Sequence, residues 1–147
     1  MAFLQESEWM FLNEIAYNIS LFYSFDAMRK TVLDRLNMLI GFDGAVFSLV
    51  DNHEVTNSIS YNIDDKNIDL YEKNYSNGNP LYWLLISGYN MAYLQTELLT
   101  EEAMEQSNIY HNFYLPCRFK YAMGMNIVFR EEVVGLVTFF RGKGRDD

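Results

Sequence analysis

The chain has 147 residues, half of them apolar and 24 of them aromatic (2 Trp, 11 Tyr and 11 Phe). That is enough for one domain whose core buries roughly 70% of the unfolded surface, and far too apolar for a disordered polypeptide. Twenty acidic residues face 11 basic ones, a net charge of −9, which excludes autonomous binding to nucleic acid or to an anionic membrane because both require a positive surface.

A lone cysteine, Cys117, excludes an internal disulfide, and two histidines added to it fall short of a four-ligand zinc site. Glu6 and Glu8 stand where a secretory leader would carry positive charge, and the longest apolar stretches, such as Leu81 to Ile86, are too short to span a bilayer. A cytoplasmic protein with no membrane partner is expected.

Residues 8–40 read as a helical pair. Trp9, Leu12, Ala16, Ile19 and Phe22 or Tyr23 recur at three- and four-residue steps. Ser24 or Asp26 could cap a second helix with a stripe of Met28, Val32, Leu36, Leu39 and Ile40, and Gly41 stops it. The period then changes to two. Ala45 to Val50 is a strand, Asp51-Asn52 a turn, and Val55 to Ile63 its antiparallel partner, with Val55, Asn57, Ile59, Tyr61 and Ile63 on one face.

A helix starts at Asp64, carries Ile68, Tyr71 and Tyr75 at helical spacing, and ends in Ser76-Asn77-Gly78. Asn79-Pro80 opens a short helix that Gly88 closes. Met91 to Leu94 reads as a short strand, and Thr100-Glu101-Glu102 opens a further helix with its acids at the positive end of the dipole. Ser107 to Phe119 shows no period, and Pro116 argues against regular structure there.

Tyr121 to Phe129 and Val133 to Phe140 form a closing hairpin across Arg130-Glu131-Glu132. Tyr121, Met123, Met125, Ile127 and Phe129 share one face of it and Ala122, Gly124 and Asn126 the other; Gly124 and Gly135 suggest close approach or a bulge. The order predicts an α+β fold, an antiparallel sheet with helices on both faces. Residues 142–147 read as the start of a linker.

Catalytic and cofactor chemistry finds no constellation. Cys117 and His111 are the only thiol–base candidates, and their spacing in an irregular loop is unspecific. No glycine loop is followed by the lysine that phosphate binding requires. His53-Glu54 has no second histidine nearby, and the acid pairs 64–65, 101–102 and 131–132 fall at helix starts or turns. No enzyme, metal or cofactor is therefore expected. What could bind a molecule is the aromatic population from Tyr61 to Tyr121, since tyrosine supplies both an apolar face and a polar tip. The bland alternative is that these rings fill the core.

The closing hairpin "MGMNIVFREEVVGLVTFFR" resembles that of a GAF domain. Together with "GFDGAVFSLVD" (41–51), "NPLYWLLISG" (79–88), "YHNFYLP" (110–116) and "GLVTFFR" (135–141), the chain resembles the GAF-like N-terminal region of bacterial transcription regulators that end in a LuxR-type helix-turn-helix. The resemblance implies a sensory domain over residues 1–141, with the helical pair at 8–40 and the sheet and pocket at 44–141. It implies an unknown small-molecule ligand, a homodimer through the N-terminal helices, and DNA contact only through a missing C-terminal domain.

The motifs of specialised relatives are not reproduced. Arg118 follows Cys117 where a bilin-attachment site typically has histidine, the cyclic-nucleotide motif is not found, and only one cysteine is present where the methionine sulfoxide reductases use several. Lactone receptors have Asp-Pro where this chain has Asn79-Pro80. The expected pocket residues are Phe47, Tyr61, Tyr82, Trp83, Tyr93, Tyr110, Phe113, Tyr121 and Met123. The alternative is a dimerisation or protein-interaction module of the same fold that binds no ligand.

Overall fold

The computed structural model describes residues 4–19 and 24–142. The chain divides into two compact units, Met1–Gly41 and Phe42–Asp147. The first is a pair of helices, α1 (Glu6–Ile19) and α2 (Phe25–Ile40). Ser24 caps α2 by accepting the Ala27 N–H, and Gly41 ends it in the left-handed conformation (φ 71°), as the sequence suggested. Along α1 it is Ile15 that is buried, flanked by half-buried Phe11 and Leu12, while Trp9, Ala16 and Tyr17 are exposed. The stripe expected through Trp9 and Ala16 is thus rotated, because α1 has apolar residues all round and periodicity cannot rank two adjacent stripes. On α2, the Arg29 guanidinium donates to Asp26 (2.9 Å) and lies over the Phe25 ring. Phe22 and Tyr23 fall outside the described residues.

The second unit is built on a five-stranded antiparallel sheet of order β2-β1-β5-β4-β3. Its strands are β1 (Gly44–Asp51), β2 (Glu54–Tyr61), β3 (Tyr93–Leu94), β4 (Phe119–Phe129) and β5 (Glu132–Gly142). Both hairpins close through two residues, Asn52–His53 and Arg130–Glu131, all four with positive φ. That is the signature of a type I′ turn, whose twist matches the strands it joins.

The uniform alternation expected along Val55 to Ile63 is broken. Asn57 adopts φ 49° at a register shift, so Ile59 and Tyr61 oppose Phe47 and Ala45 while Val55 opposes Val50. A one-residue bulge turns every later side chain to the other face, which places Val55 in the core.

The remaining helices are α3 (Asp65–Gly78), α4 (Tyr82–Ile86), α5 (Gln95–Leu98), α6 (Glu101–Glu105) and α7 (Leu115–Cys117). Asp64 and Thr100 cap α3 and α6 by accepting the Asn67 and Ala103 N–H groups. Asn79 accepts the Leu81 N–H and so makes a turn ahead of α4, which itself begins two residues later than Pro80. Within the segment 107–119, where the sequence shows no period, residues 108–117 are helical. A π-helical turn (Tyr110–Tyr114) continues into α7, the Leu115 N–H reaching back to the Tyr110 carbonyl. Pro116 is accommodated at the second residue of α7, directly behind the π-helical turn.

Strand β5 runs through Gly142, whose N–H donates to the Asp43 carboxylate at 2.7 Å, so the linker expected from 142 has not begun there. Residues 143–147 lie outside the described residues. Among the described residues no helix is long and apolar enough to cross a membrane.

Helix α3 and the π-helical turn bury their aromatic rings against the face of the sheet that carries Val46, Leu136, Phe140 and Ala122. Phe140 is the hub. Its ring stacks on Phe119 (4.8 Å, 7° between planes) and meets Tyr71, Phe113 and Tyr114 edge-on. Asn126, buried on the same face, donates to the carbonyls of Leu84 and Tyr89 and so ties the end of α4 to the sheet.

A closed tyrosine chamber and an open edge cleft

The register decides which face each candidate occupies. Tyr93 pairs with Gly124, which pairs with Thr138. These three share the face covered by α3 and the π-helical turn. Alternation then puts Phe47, Tyr61 and Met123 on the opposite face, where Tyr61 meets Phe42 edge-on (5.4 Å). The nine expected residues are therefore not one cluster. Phe113 is fully buried in the core, Tyr93 lines an inner chamber, and Tyr110 and Tyr121 line a cleft. Tyr82 and the half-exposed Trp83 border an open groove of about 500 Å³ against residues 76–80 and 106–108.

The inner chamber lies between the sheet and the helices. Tyr71 and Tyr75 enter it one helical turn apart on α3, Tyr114 from the π-helical turn, and Tyr93 from β3. Gly124 admits Tyr93, since a Cβ built there would lie 2.5 Å from the phenol oxygen. Only about 10 Å³ remains, space for no more than one water molecule.

The hydroxyls are satisfied internally. Tyr71 bonds Thr138 Oγ1 (3.2 Å), Tyr114 donates to Gln95 Oε1 (2.8 Å), and Tyr75 and Tyr93 share a hydrogen bond. Burial pushes the pKa of all four phenols above the ordinary tyrosine value, so they are neutral at physiological pH.

The cleft lies outside this chamber, along the edge of β4 where the two-residue strand β3 stops short of covering it. It has a volume of about 250 Å³. Leu99 and Met104 give it an apolar floor, Tyr110 and Tyr121 its aromatic sides, and Gln95, Thr96 and Thr100 its polar groups. At the mouth, Lys120 pairs with Glu101 (3.2 Å) and lies over the Tyr121 ring, with Glu105 nearby. The adjacent carboxylate holds the Lys120 ammonium pKa up.

The expected pocket set leaves out Tyr71, Tyr75, Tyr114, Thr138 and Gln95, although the aromatic population from Tyr61 to Tyr121 takes in the three tyrosines. The i, i+4 spacing of Tyr71 and Tyr75 and the alternation of Gly124 and Thr138 carry part of the signal. Nothing local marks Gln95.

A third depression, about 300 Å³ and polar, lies at the start of α3. Its Asp43 and Asp64 carboxylates already accept the Gly142 and Asn67 N–H groups. Cys117 lines it, its thiol pushed up to about 11 by burial and by Asp64. Among the described residues no three His, Cys, Asp or Glu side chains gather into a group that could hold a metal ion.

No protein-family model matches the chain, and no curated protein matches it. Solved structures do. The chain is similar to the GAF domain of an Acinetobacter phosphoenolpyruvate-protein phosphotransferase (TM-score 0.67, 10% identity, covering 98% of this chain and 82% of that one). It is similar to the LBD domain of VqsR from Pseudomonas aeruginosa (0.68, 9% identity, 96% and 83%) and to the A. aeolicus nlh2 GAF domain in an inactive state (0.56, 14% identity, 94% and 81%). The fold is α+β and GAF-like.

Proposed function

We propose that this chain is a ligand-sensing, regulatory domain of a bacterial transcription regulator of LuxR type, cytoplasmic and not itself an enzyme. It takes a small molecule in the edge cleft and controls a DNA-binding domain outside this sequence. The observation that carries the reading is the cleft itself: a recess of about 250 Å³ that joins an apolar floor to a few polar groups and two of the expected tyrosines. The likeness to the VqsR LBD domain supports the regulatory context.

Three short segments, α5, α6 and the π-helical turn, form its walls. A ligand packed between them regulates by binding one of their arrangements better than another. The helical pair supplies the dimer contact, since Trp9, Met10, Tyr17 and Met38 leave large apolar surface exposed there. An obligate monomer by sedimentation at high concentration would remove that part of the reading.

Thermal-shift screening of small aromatic and aliphatic metabolites tests the cleft. Stabilising compounds should lose their effect in Tyr121→Ala and keep it in Trp83→Ala. Compounds that stabilise both variants equally would refute the site. A second reading, a dimerisation or protein-interaction module that binds no ligand, draws support from the inner chamber, which its own tyrosines fill. A screen with no stabilising compound at all would favour it.

A further inference from the structure

Among the described residues, Gln95 is the one side chain that lines both the outer cleft and the inner tyrosine chamber. It is buried, and its two ends are held unequally. The carbonyl end accepts a short bond from Tyr114 (2.8 Å), whereas the amide nitrogen reaches only the Lys120 backbone carbonyl at 3.4 Å, near the outer limit of a hydrogen bond. The amide cannot be turned round, because its oxygen would then face the Lys120 carbonyl oxygen. An amide nitrogen carries two N–H donors, and this one has a single long contact to the Lys120 carbonyl.

We propose that Gln95 selects the ligand: the amide nitrogen donates to a neutral acceptor, a ketone, amide or aldehyde oxygen on a flat apolar body lying between Tyr110 and Met104. The inference rests on the cleft being the ligand site. The group offered at its base is a donor, so the ligand must bring an acceptor. The acceptor is uncharged because the mouth already holds Lys120 neutralised by Glu101, with Glu105 adding negative charge, and the phenols behind are neutral hydroxyls with their own partners. A carboxylate therefore gains no counter-charge and meets repulsion. Engaging the amide also draws on the hydrogen bond to Tyr114, so occupancy of the cleft is felt at the π-helical turn and in the chamber.

The test uses three probes of similar size: acetophenone, ethylbenzene and benzoate. Binding to the chain is followed by amide chemical shifts of residues 95–105 and 120–121. Acetophenone should bind about tenfold more tightly than ethylbenzene, as one hydrogen bond to a buried donor implies, and benzoate most weakly. In Gln95→Met, nearly isosteric but without the donor, the preference for the ketone should vanish while ethylbenzene binding persists. Tyr114→Phe, which leaves the amide nitrogen in place, should keep the preference and guards against a general packing effect in the first variant. Equal affinity of the wild-type chain for acetophenone and ethylbenzene at the cleft, or a preference that survives Gln95→Met, would overturn the role of Gln95 and leave the cleft standing. Failure of all three probes to shift cleft residues would overturn both.

Discussion

Replacing Gly124 by alanine tests how the inner chamber is closed. The added Cβ would lie 2.5 Å from the Tyr93 hydroxyl oxygen and 2.6 Å from its Cζ. An ordinary contact begins about 1 Å further out, so the phenol must retreat by about that distance. It has little room to do so, being wedged against Leu81 and Leu84 and hydrogen-bonded to Tyr75. Overpacking of this kind costs about 1–3 kcal/mol, and loss of the Tyr75–Tyr93 hydrogen bond adds about 1 kcal/mol. Relief of glycine's backbone entropy within a strand returns about 0.5–1 kcal/mol. The net expectation is a destabilisation of about 2 kcal/mol, a fall in Tm of about 6 °C for a chain of this length. Chemical denaturation of the wild type, Gly124→Ala, Tyr93→Leu and the double variant measures it as a cycle. With the phenol gone, the alanine should cost close to nothing. A Gly124→Ala protein as stable as the wild type, or an equal cost in both backgrounds, would refute the close-packing argument.

Alkali should unfold the protein through the chamber. The folded pKa values of Tyr71, Tyr75, Tyr93 and Tyr114 all lie above the ordinary tyrosine value of 10.0, chiefly through burial. Their contribution to stability is therefore complete below pH 10.0 and is lost as the pH rises beyond it. Phenolate absorbance should show these 4 of the 11 tyrosines ionising only together with loss of the near-ultraviolet dichroism, and smooth titration of all tyrosines ahead of unfolding would contradict this. Cys117, raised from 9.0 to about 11, should alkylate with a midpoint near that higher value and about a hundredfold more slowly at neutral pH than an unperturbed thiol; a rate matching free cysteine would show it unburied.

Helix caps were legible in the sequence because they are local. Ser24, Gly41, Asp64 and Thr100 are caps whose partners lie within four residues, so nearest-neighbour chemistry decides them. The closing hairpin was legible for the same reason: alternation along β4 assigns Tyr121, Met123 and Met125 to one face and Gly124 and Asn126 to the other, and the pairing agrees. Where the reading failed, a distant contact had overruled a local preference. Asn57 accepts a positive φ and displaces the register of β2, while the Ser58 N–H just after it donates to the Glu72 carboxylate on α3. Pro116 reads as a breaker in isolation, yet the helix runs on through it from the π-helical turn into α7.

By itself, then, the sequence determined an acidic α+β domain, its hairpins, its caps and the concentration of tyrosine in its second half, because composition, period and capping act over a few residues. The tertiary structure decided what those tyrosines do. Gln95 meets Tyr114 across 19 positions and the Lys120 carbonyl across 25, and Tyr71 meets Thr138 across 67. No spacing rule reaches that far: only the order of strands in the sheet brings these groups together, four rings into a filled chamber and two more onto the cleft outside it.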